Sequence, residues 1–193
     1  MLKLEFSFSS LLDCMRPRAI SGVERITDMQ YWRTFRTENT SGYFSVKDNP
    51  DQSCLELEIN CDDLRCYMAI YNRVHRMFDM VTDFSAINRR LAKDPLLARG
   101  MIDGHVPRLP VAFNSFEFVV RAILGQQISV KAATTLVGRI AAKAALVSGN
   151  DFPEGLDYYF PEPEELIELE LDDLGITRTR QETLKRVTRV VLN

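Results

Sequence analysis

No apolar run in the chain is long enough to cross a membrane. Its first residues set Leu2, Leu4, Phe6 and Phe8 against Lys3, Glu5 and Ser7 and do not build the unbroken apolar core of a signal peptide. A membrane partner is therefore not expected, and the expected location is the cytoplasm. Excess positive charge is missing too: 24 Lys and Arg against 27 Asp and Glu leave a net charge of −3. This excludes a nucleic-acid coat that works by bulk electrostatics but leaves room for a grip on DNA through one local patch. Cysteine is sparse, and the four present (Cys14, Cys54, Cys61, Cys66) follow neither zinc-finger nor disulfide-framework spacing. Four residues separate Cys61 and Cys66, with no second pair after them, so free thiols in a reducing compartment are expected. Of the two histidines, His75 falls in a helical pattern and His105 in a loop, neither with a partner at ligand or nucleophile spacing. No metal and no other cofactor is expected, and there is no internal repeat.

With 46% hydrophobic and 26% charged residues over 193 positions, the chain can bury a real core, as one good-sized domain or two small ones. The period-two alternation of residues 2–8 reads as a strand, with Ser9 and Ser10 capping a short helix over 11–15 that ends before Pro17. Three strands follow at 29–37, 42–47 and 53–60, the last two joined through the turn Asp48-Asn49-Pro50-Asp51. Their aromatics, Tyr31, Trp32, Phe35, Tyr43 and Phe44, are expected to fill a core and not to form a base-stacking platform. Asp62 or Asp63 caps a helix whose apolar stripe is Leu64, Tyr67, Met68, Tyr71, Val74, Met77 and Phe78. Beyond residue 80 the pattern is all-helical: 86–93 capped by Ser85, a capping box at Asn114 and Glu117 opening 116–126, and 130–146 capped by Ser129. A short helix follows Pro163, and Thr177 caps 178–192.

Charge is uneven toward the end. Residues 151–173 hold ten acidic and no basic side chains. Helix 178–192 carries Arg178, Arg180, Lys185, Arg186 and Arg189 against Glu182 alone. Leu184, Val187, Val190, Val191 and Leu192 give that helix an apolar face, and the sequence stops inside it without a Gly, Pro or cap. Either the helix docks on the body, or the chain is cut short of the helices that would cover it; the latter is the expectation carried forward.

The most informative segment is Arg121-Ala-Ile-Leu-Gly-Gln-Gln-Ile-Ser-Val-Lys131: a helix end, a tight turn at Gly125 and a new helix from Ser129. Adjacent Gln126 and Gln127 can each donate and accept, as needed to replace a base's hydrogen bonds, and the free N–H groups after Ser129 suit a phosphate. Chemistry alone favours a capped helix–helix turn with solvated amides.

The same segment, however, resembles the turn with which helix–hairpin–helix DNA glycosylases plug a duplex after a damaged base has swung out. Other segments follow the same family in order: Arg18-Ala-Ile-Ser-Gly-Val-Glu24, Arg76-Met-Phe-Asp79, Arg108-Leu-Pro110 with Phe116-Glu117, and Leu174-Gly175 ahead of a basic helix at Arg180. Nearly the whole chain is similar to the bacterial 3-methyladenine DNA glycosylase II family. The resemblance implies an α+β protein: a TATA-binding-protein-like antiparallel sheet with helices at 1–80, then an incomplete all-α helix–hairpin–helix glycosylase domain at 81–193. It implies base-excision repair, with hydrolysis of the N-glycosidic bond of alkylated bases of the 3-methyladenine type. The partner it implies is double-stranded DNA containing alkylated bases, and an alkyl-transfer domain upstream in a longer protein is compatible with it. Gln127 matches the plug, with Gln126, Ser129 and Lys131 beside it on DNA. Cys14 and Arg18 match the base pocket, although relatives often place Phe at position 14. On residues alone, an Arg18 salt bridge to Glu24 or to a helix end is an equal reading, with Glu24 a structural ion partner and Glu117 a helix cap.

The family's Pro-Gly-Ile-Gly hairpin and the Asp that follows it are absent. Val111 replaces a Gly after Leu109-Pro110, and Asn114 stands where Asp is common. Asp172 and Asp173 read as a solvated acidic loop, so the catalytic Asp is expected beyond Asn193 and no turnover is expected of this chain. The alternatives are the oxidised-guanine branch of the superfamily, whose Lys would also lie beyond Asn193, and a non-catalytic DNA- or protein-binding module.

Overall fold

The structure is a computed structural model that describes residues 7–102 and 104–193. It has the expected α+β class. Helix α1 (Phe8–Met15) begins earlier than residue patterns indicate, because Ser7 supplies the cap: its Oγ accepts the Ser10 N–H at 3.2 Å. Phe8, Leu11, Leu12 and Met15 then fall on one face and are buried. Ser7 and Phe8, expected in a strand over 2–8, are thus the cap and first residue of α1, while residues 2–6 lie outside the described residues.

Among the described residues four strands form an antiparallel meander: β1 (Glu24–Ile26), which was not expected, β2 (Gln30–Arg36), β3 (Ser41–Asn49) and β4 (Cys54–Cys61). β1 shows no apolar alternation and pairs only through Glu24–Arg33, Arg25–Trp32 and Ile26–Tyr31. The register sets Tyr31 opposite Val46 and Arg33 opposite Phe44. Odd positions of β2 therefore share one face with even positions of β3. That face packs on α1 and on α2 (Tyr67–Met77), burying Tyr31, Phe35, Phe44 and Val46 with Ile70, Val74, Met77 and Phe78. Trp32 points the other way, under the Arg25 guanidinium at 4.9 Å. The buried stripe of α2 runs through Cys66, Ile70, Val74 and Met77; Leu64 and Met68, expected inside, are 73% and 66% exposed. Helical spacing allows both stripes, and only the sheet selects the branched one.

The rest is helical: α3 (Ser85–Leu91), α4 (Pro95–Ala98), α5 (Ser115–Gly125), α6 (Val130–Ala144), α7 (Pro163–Glu168) and α8 (Arg178–Leu192). A second core joins α5, α6, α7 and Leu184 of α8, and it takes in Ile20 and Val23 from the link between α1 and β1. Conversely, Phe113, just ahead of α5, belongs to the sheet core. Two expected caps are replaced. Asp83 accepts the Ser85 N–H at 2.9 Å, and the Thr177 side chain makes no capping bond. On α8, Leu184 and Thr188 are buried, whereas Val190 is 71% exposed.

Asn114 caps α5 as expected, but Glu117 does not reach back to complete a box. It turns inward, 1% exposed, to Arg33. Four buried or half-buried charges from both cores meet here. Arg33 Nη1 donates to Glu24 at 2.8 Å and its Nη2 to Glu117. Arg121 Nη2 donates to Glu24 at 2.6 Å, and its Nε to Glu117 at 2.8 Å. Tyr31 Oη and the Ile20 N–H complete the Glu24 shell at 2.6 and 2.8 Å. Burial alone would raise the Glu24 carboxyl, but the Arg121 and Arg33 guanidiniums outweigh it and hold it at about 2 against an ordinary 4.5.

Replacing Arg33 with Met leaves a surplus buried carboxylate and should cost about 3–5 kcal/mol in urea unfolding at neutral pH. Adding Glu117→Leu should recover part of that loss. A single-variant cost below about 1 kcal/mol would show that the four charges do not hold the cores together. Because the folded Glu24 value is depressed, its contribution is present above pH 4.5 and is lost as pH falls toward 2. Unfolding free energy measured over that window should therefore fall more steeply in the parent chain than in Glu24→Gln.

Candidate functional site

Between the two cores lies a cleft of about 450 Å³, within the size range of small-ligand sites. Glu24 and Arg33 lie at its base. Its walls are Met15 from α1, Ile26 from β1, Met77 from the end of α2, the 110–113 loop, and Glu117, Phe118, Arg121 and Ala122 from α5. The loop is pinned by the Val111 N–H on the Met77 carbonyl at 3.0 Å. Arg33 stacks over Phe113 at 5.1 Å. Phe118, 58% exposed, stands open to solvent. Among the described residues the only carboxylates lining this cleft are Glu24 and Glu117, both of them held by guanidiniums.

Arg18 is exposed at the rim. Its Nη1 donates to the Cys14 carbonyl at 2.6 Å, so of the two structural readings the helix end is the observed one. Glu24 is taken by Arg33 and Arg121 instead. Cys14 is exposed, is not among the cleft-lining residues, and reaches the cleft through Arg18. Arg121 Nη1 donates to the Arg18 carbonyl at 2.7 Å. Arg18 and Arg121 also line a neighbouring groove of about 190 Å³ that runs along Gly125, Ile128, Val130 and Thr134.

That groove leads to the Gln126–Gln127 turn. Glu117, Arg121 and Gly125 follow one another at four-residue spacing, so one face of α5 runs from cleft to turn. Gln126 leaves the helix extended, and Gln127 has φ +57°. A non-glycine residue there costs of order 1–2 kcal/mol, so its surroundings must impose it. Three contacts do so: Ile128 packs on the helical core, Ser129 Oγ accepts the Ala132 N–H at 3.2 Å to start α6, and Arg180 of α8 donates to the Gln126 carbonyl. Gln126, Gln127, Ser129 and Lys131 are all exposed. The two glutamine amides make no hydrogen bond among the described residues.

The other candidates are structural. Asp173 pairs with Lys143 at 2.7 Å on the surface. His75 stacks on Tyr71 with ring centres 5.4 Å apart, and His105 Nδ1 lies 3.3 Å from the Asn88 amide. Among the described residues no group of three or more His, Cys, Asp or Glu could hold a metal ion. Residue patterns missed Arg33, Arg121, Met77 and Phe113 as cleft residues. The one available signal was Arg33 itself, a charge at an odd position of a strand whose other odd positions are aromatic.

Residues 2–114 match the AlkA N-terminal domain family. The chain is 32% identical over 184 residues to the Mycobacterium tuberculosis protein described as "Probable bifunctional transcriptional activator/DNA repair enzyme AlkA", covering 95% of this chain and 36% of that one. It is 27% identical over 190 residues to DNA-3-methyladenine glycosylase 2 of Escherichia coli, covering 97% and 64%. The 3-methyladenine DNA glycosylase structure from Archaeoglobus fulgidus superposes with a TM-score of 0.76 at 16% identity over 98% of this chain and 65% of that one, a likeness of fold. The chain thus spans between about a third and two thirds of these relatives' lengths, and the sheet, the cleft wall and the segment matched place it in one family: the chain belongs to the AlkA N-terminal domain family.

Proposed function

We propose that the chain is part of a base-excision DNA glycosylase acting on alkylated bases in double-stranded DNA. The observation that carries this reading is the exposed, strained Gln126–Gln127 turn at the end of the helix that walls the cleft. An enzyme that extrudes a base needs both a pocket for the base and something to fill the stack it leaves, and flipping costs a few kcal/mol that such filling offsets. Gln127 is the plug, with Gln126 beside it. Ser129, the first amides of α6 and Lys131 take the adjoining phosphates. Arg18 forms the rim of the base pocket with Cys14 behind it, and the pocket's apolar wall suits an alkylated purine whose own positive charge already weakens the glycosidic bond.

Residues 1–80 and 81–193 are the two units of this assembly. Among the described residues no unpaired carboxylate lines the cleft, since Glu24 and Glu117 are held by Arg33 and Arg121, and the proposal therefore assigns stabilisation of charge on the sugar to a carboxylate from outside this chain. An alkyl-transfer domain upstream in a longer protein is part of this proposal; the mycobacterial relative is described as bifunctional, and this chain spans 36% of it.

The test is duplex binding by the 193-residue chain, comparing undamaged DNA with DNA holding a stable abasic analogue opposite a normal base. Gln127→Ala should weaken abasic-duplex binding by about tenfold and leave undamaged-duplex binding within about twofold. Equal loss on both would leave the turn as a general DNA contact, and no loss on either removes it from the interface. Arg180→Ala should speed amide exchange at Gln127 and Ile128 by about tenfold and lower abasic-duplex affinity in step. Unchanged exchange would mean that Ile128 and Ser129 fix the turn unaided. The chain should release no base from methylated duplex; measurable release would make one of its own carboxylates catalytic.

A further inference from the structure

Cys61 closes β4, Cys66 ends the short turn 64–66 that leads into α2, and their sulfurs lie 2.9 Å apart. The intervening turn is stiff. Asp63 accepts the Arg65 backbone N–H at 3.0 Å, and its two oxygens hold the Arg65 guanidinium at 2.9 Å each. Cys66 is buried in the sheet core, while Cys61 is half-buried at the end of the strand. Cys14 Sγ has Arg18 as its polar partner and Cys54 Sγ has Gln52, neither of them a second cysteine. A disulfide needs its sulfurs at about 2 Å, so about 0.9 Å of approach, within side-chain rotation, separates this pair from a bond.

We propose that Cys61 and Cys66 form a thiol–disulfide redox site whose oxidant is a hydroperoxide. The Cys61 sulfur, the more accessible, attacks a peroxide oxygen. The O–O bond breaks, the departing hydroxide takes the Cys61 thiol proton and leaves as water, and Cys61 is then a sulfenic acid. The Cys66 sulfur attacks the Cys61 sulfur, the S–O bond breaks, and the departing hydroxide takes the Cys66 proton as a second water. Two thiols and one hydrogen peroxide give one disulfide and two waters, with two electrons passing from sulfur to oxygen. Burial, and then the bond to Cys61, push the Cys66 thiol up to about 12. It therefore stays protonated and does not compete with Cys61 for the peroxide; its proton passes to the departing hydroxide as its sulfur bonds to that of Cys61. The bond would pin the first turn of α2 to the end of the sheet, and α2 runs from there to Met77 in the cleft wall.

The experiment treats the folded 193-residue chain with one to ten equivalents of hydrogen peroxide and reads intact mass and peptide maps. The expected result is a loss of about 2 Da, a Cys61–Cys66 cross-link, and full return with dithiothreitol. Cys14→Ser with Cys54→Ser should behave as the parent does. Cys61→Ser, at the half-buried position, should abolish the loss while keeping the parent circular dichroism. Gains of about 16 or 32 Da without loss of two hydrogens, or a bridge that involves Cys14 or Cys54, overturn the proposal.

Discussion

Everything that positions the cleft depends on the charge cluster of Glu24, Arg33, Glu117 and Arg121. Two carboxylates and two guanidiniums close on each other with no net charge, which is the condition under which ions tolerate burial. Such a cluster roughly breaks even against apolar packing as a source of stability, and its consequence here is geometric. Glu117 and Arg121 sit one turn apart on α5 and must both face the sheet. Turning the helix by a single residue would rotate it by about 100° and drive a charge into the apolar core. The register of α5 against the sheet is therefore fixed, and with it the place where α5 ends at Gly125.

The cleft is the space that this arrangement leaves between two cores that are each closed on themselves. The sheet core borrows Phe113 from the approach to α5, and the helical core borrows Ile20 and Val23 from the approach to β1. The chain crosses between cores at the points where the charges meet. Gly22 lies on one such crossing. It holds φ +81°, and its carbonyl accepts the N–H groups of Asp157 and Tyr158 at 2.7 and 2.8 Å. A Cβ there would stand 2.6 Å from the Tyr158 ring, so only glycine lets the 157–158 segment lie this close.

Much of this was legible in the residues, and the failures have local causes. The strands at β2, β3 and β4 announced themselves by alternation and by the turn before Gln52. Helices α5 and α6 were marked by Asn114 and Ser129, whose side chains cap them as expected. β1 was invisible because Glu24-Arg25-Ile26 has no period to read and owes its state to Tyr31, Trp32 and Arg33 across the ladder. Glu117 sat where a capping rule wanted it, but a buried arginine about eighty positions earlier made the stronger claim. The Gln126–Gln127 turn was visible as a segment, since Gly125 and Ser129 bracket it. Its left-handed residue was not, because Gln127 adopts that conformation under pressure from Ile128, Ser129 and Arg180, and not by preference.

The basic face of α8 shows why composition misleads about partners. Its charges look available for phosphate, yet the structure directs several of them elsewhere. Lys185 Nζ donates to the carbonyls of Leu166, Ile167 and Leu169, closing the C-terminal end of α7; burial lowers its pKa. Arg178 pairs with Glu182 at 3.1 Å, and Arg180 goes to the Gln126 carbonyl. The acidic stretch before α8 is likewise tied down, through Arg36 on Glu165 at 2.6 Å and the Asn114 amide on Glu162 at 3.3 Å. A chain of net charge −3 can thus tie part of its negative segment to neighbouring side chains and turn two cations of its positive helix, Arg180 and Lys185, onto backbone carbonyls. Exposed Arg18 lines the groove beside the turn, and exposed Lys131 follows the turn in the first turn of α6. Recognition of DNA by such a surface would rest on the shape of the turn and the pocket behind it more than on the sum of charge.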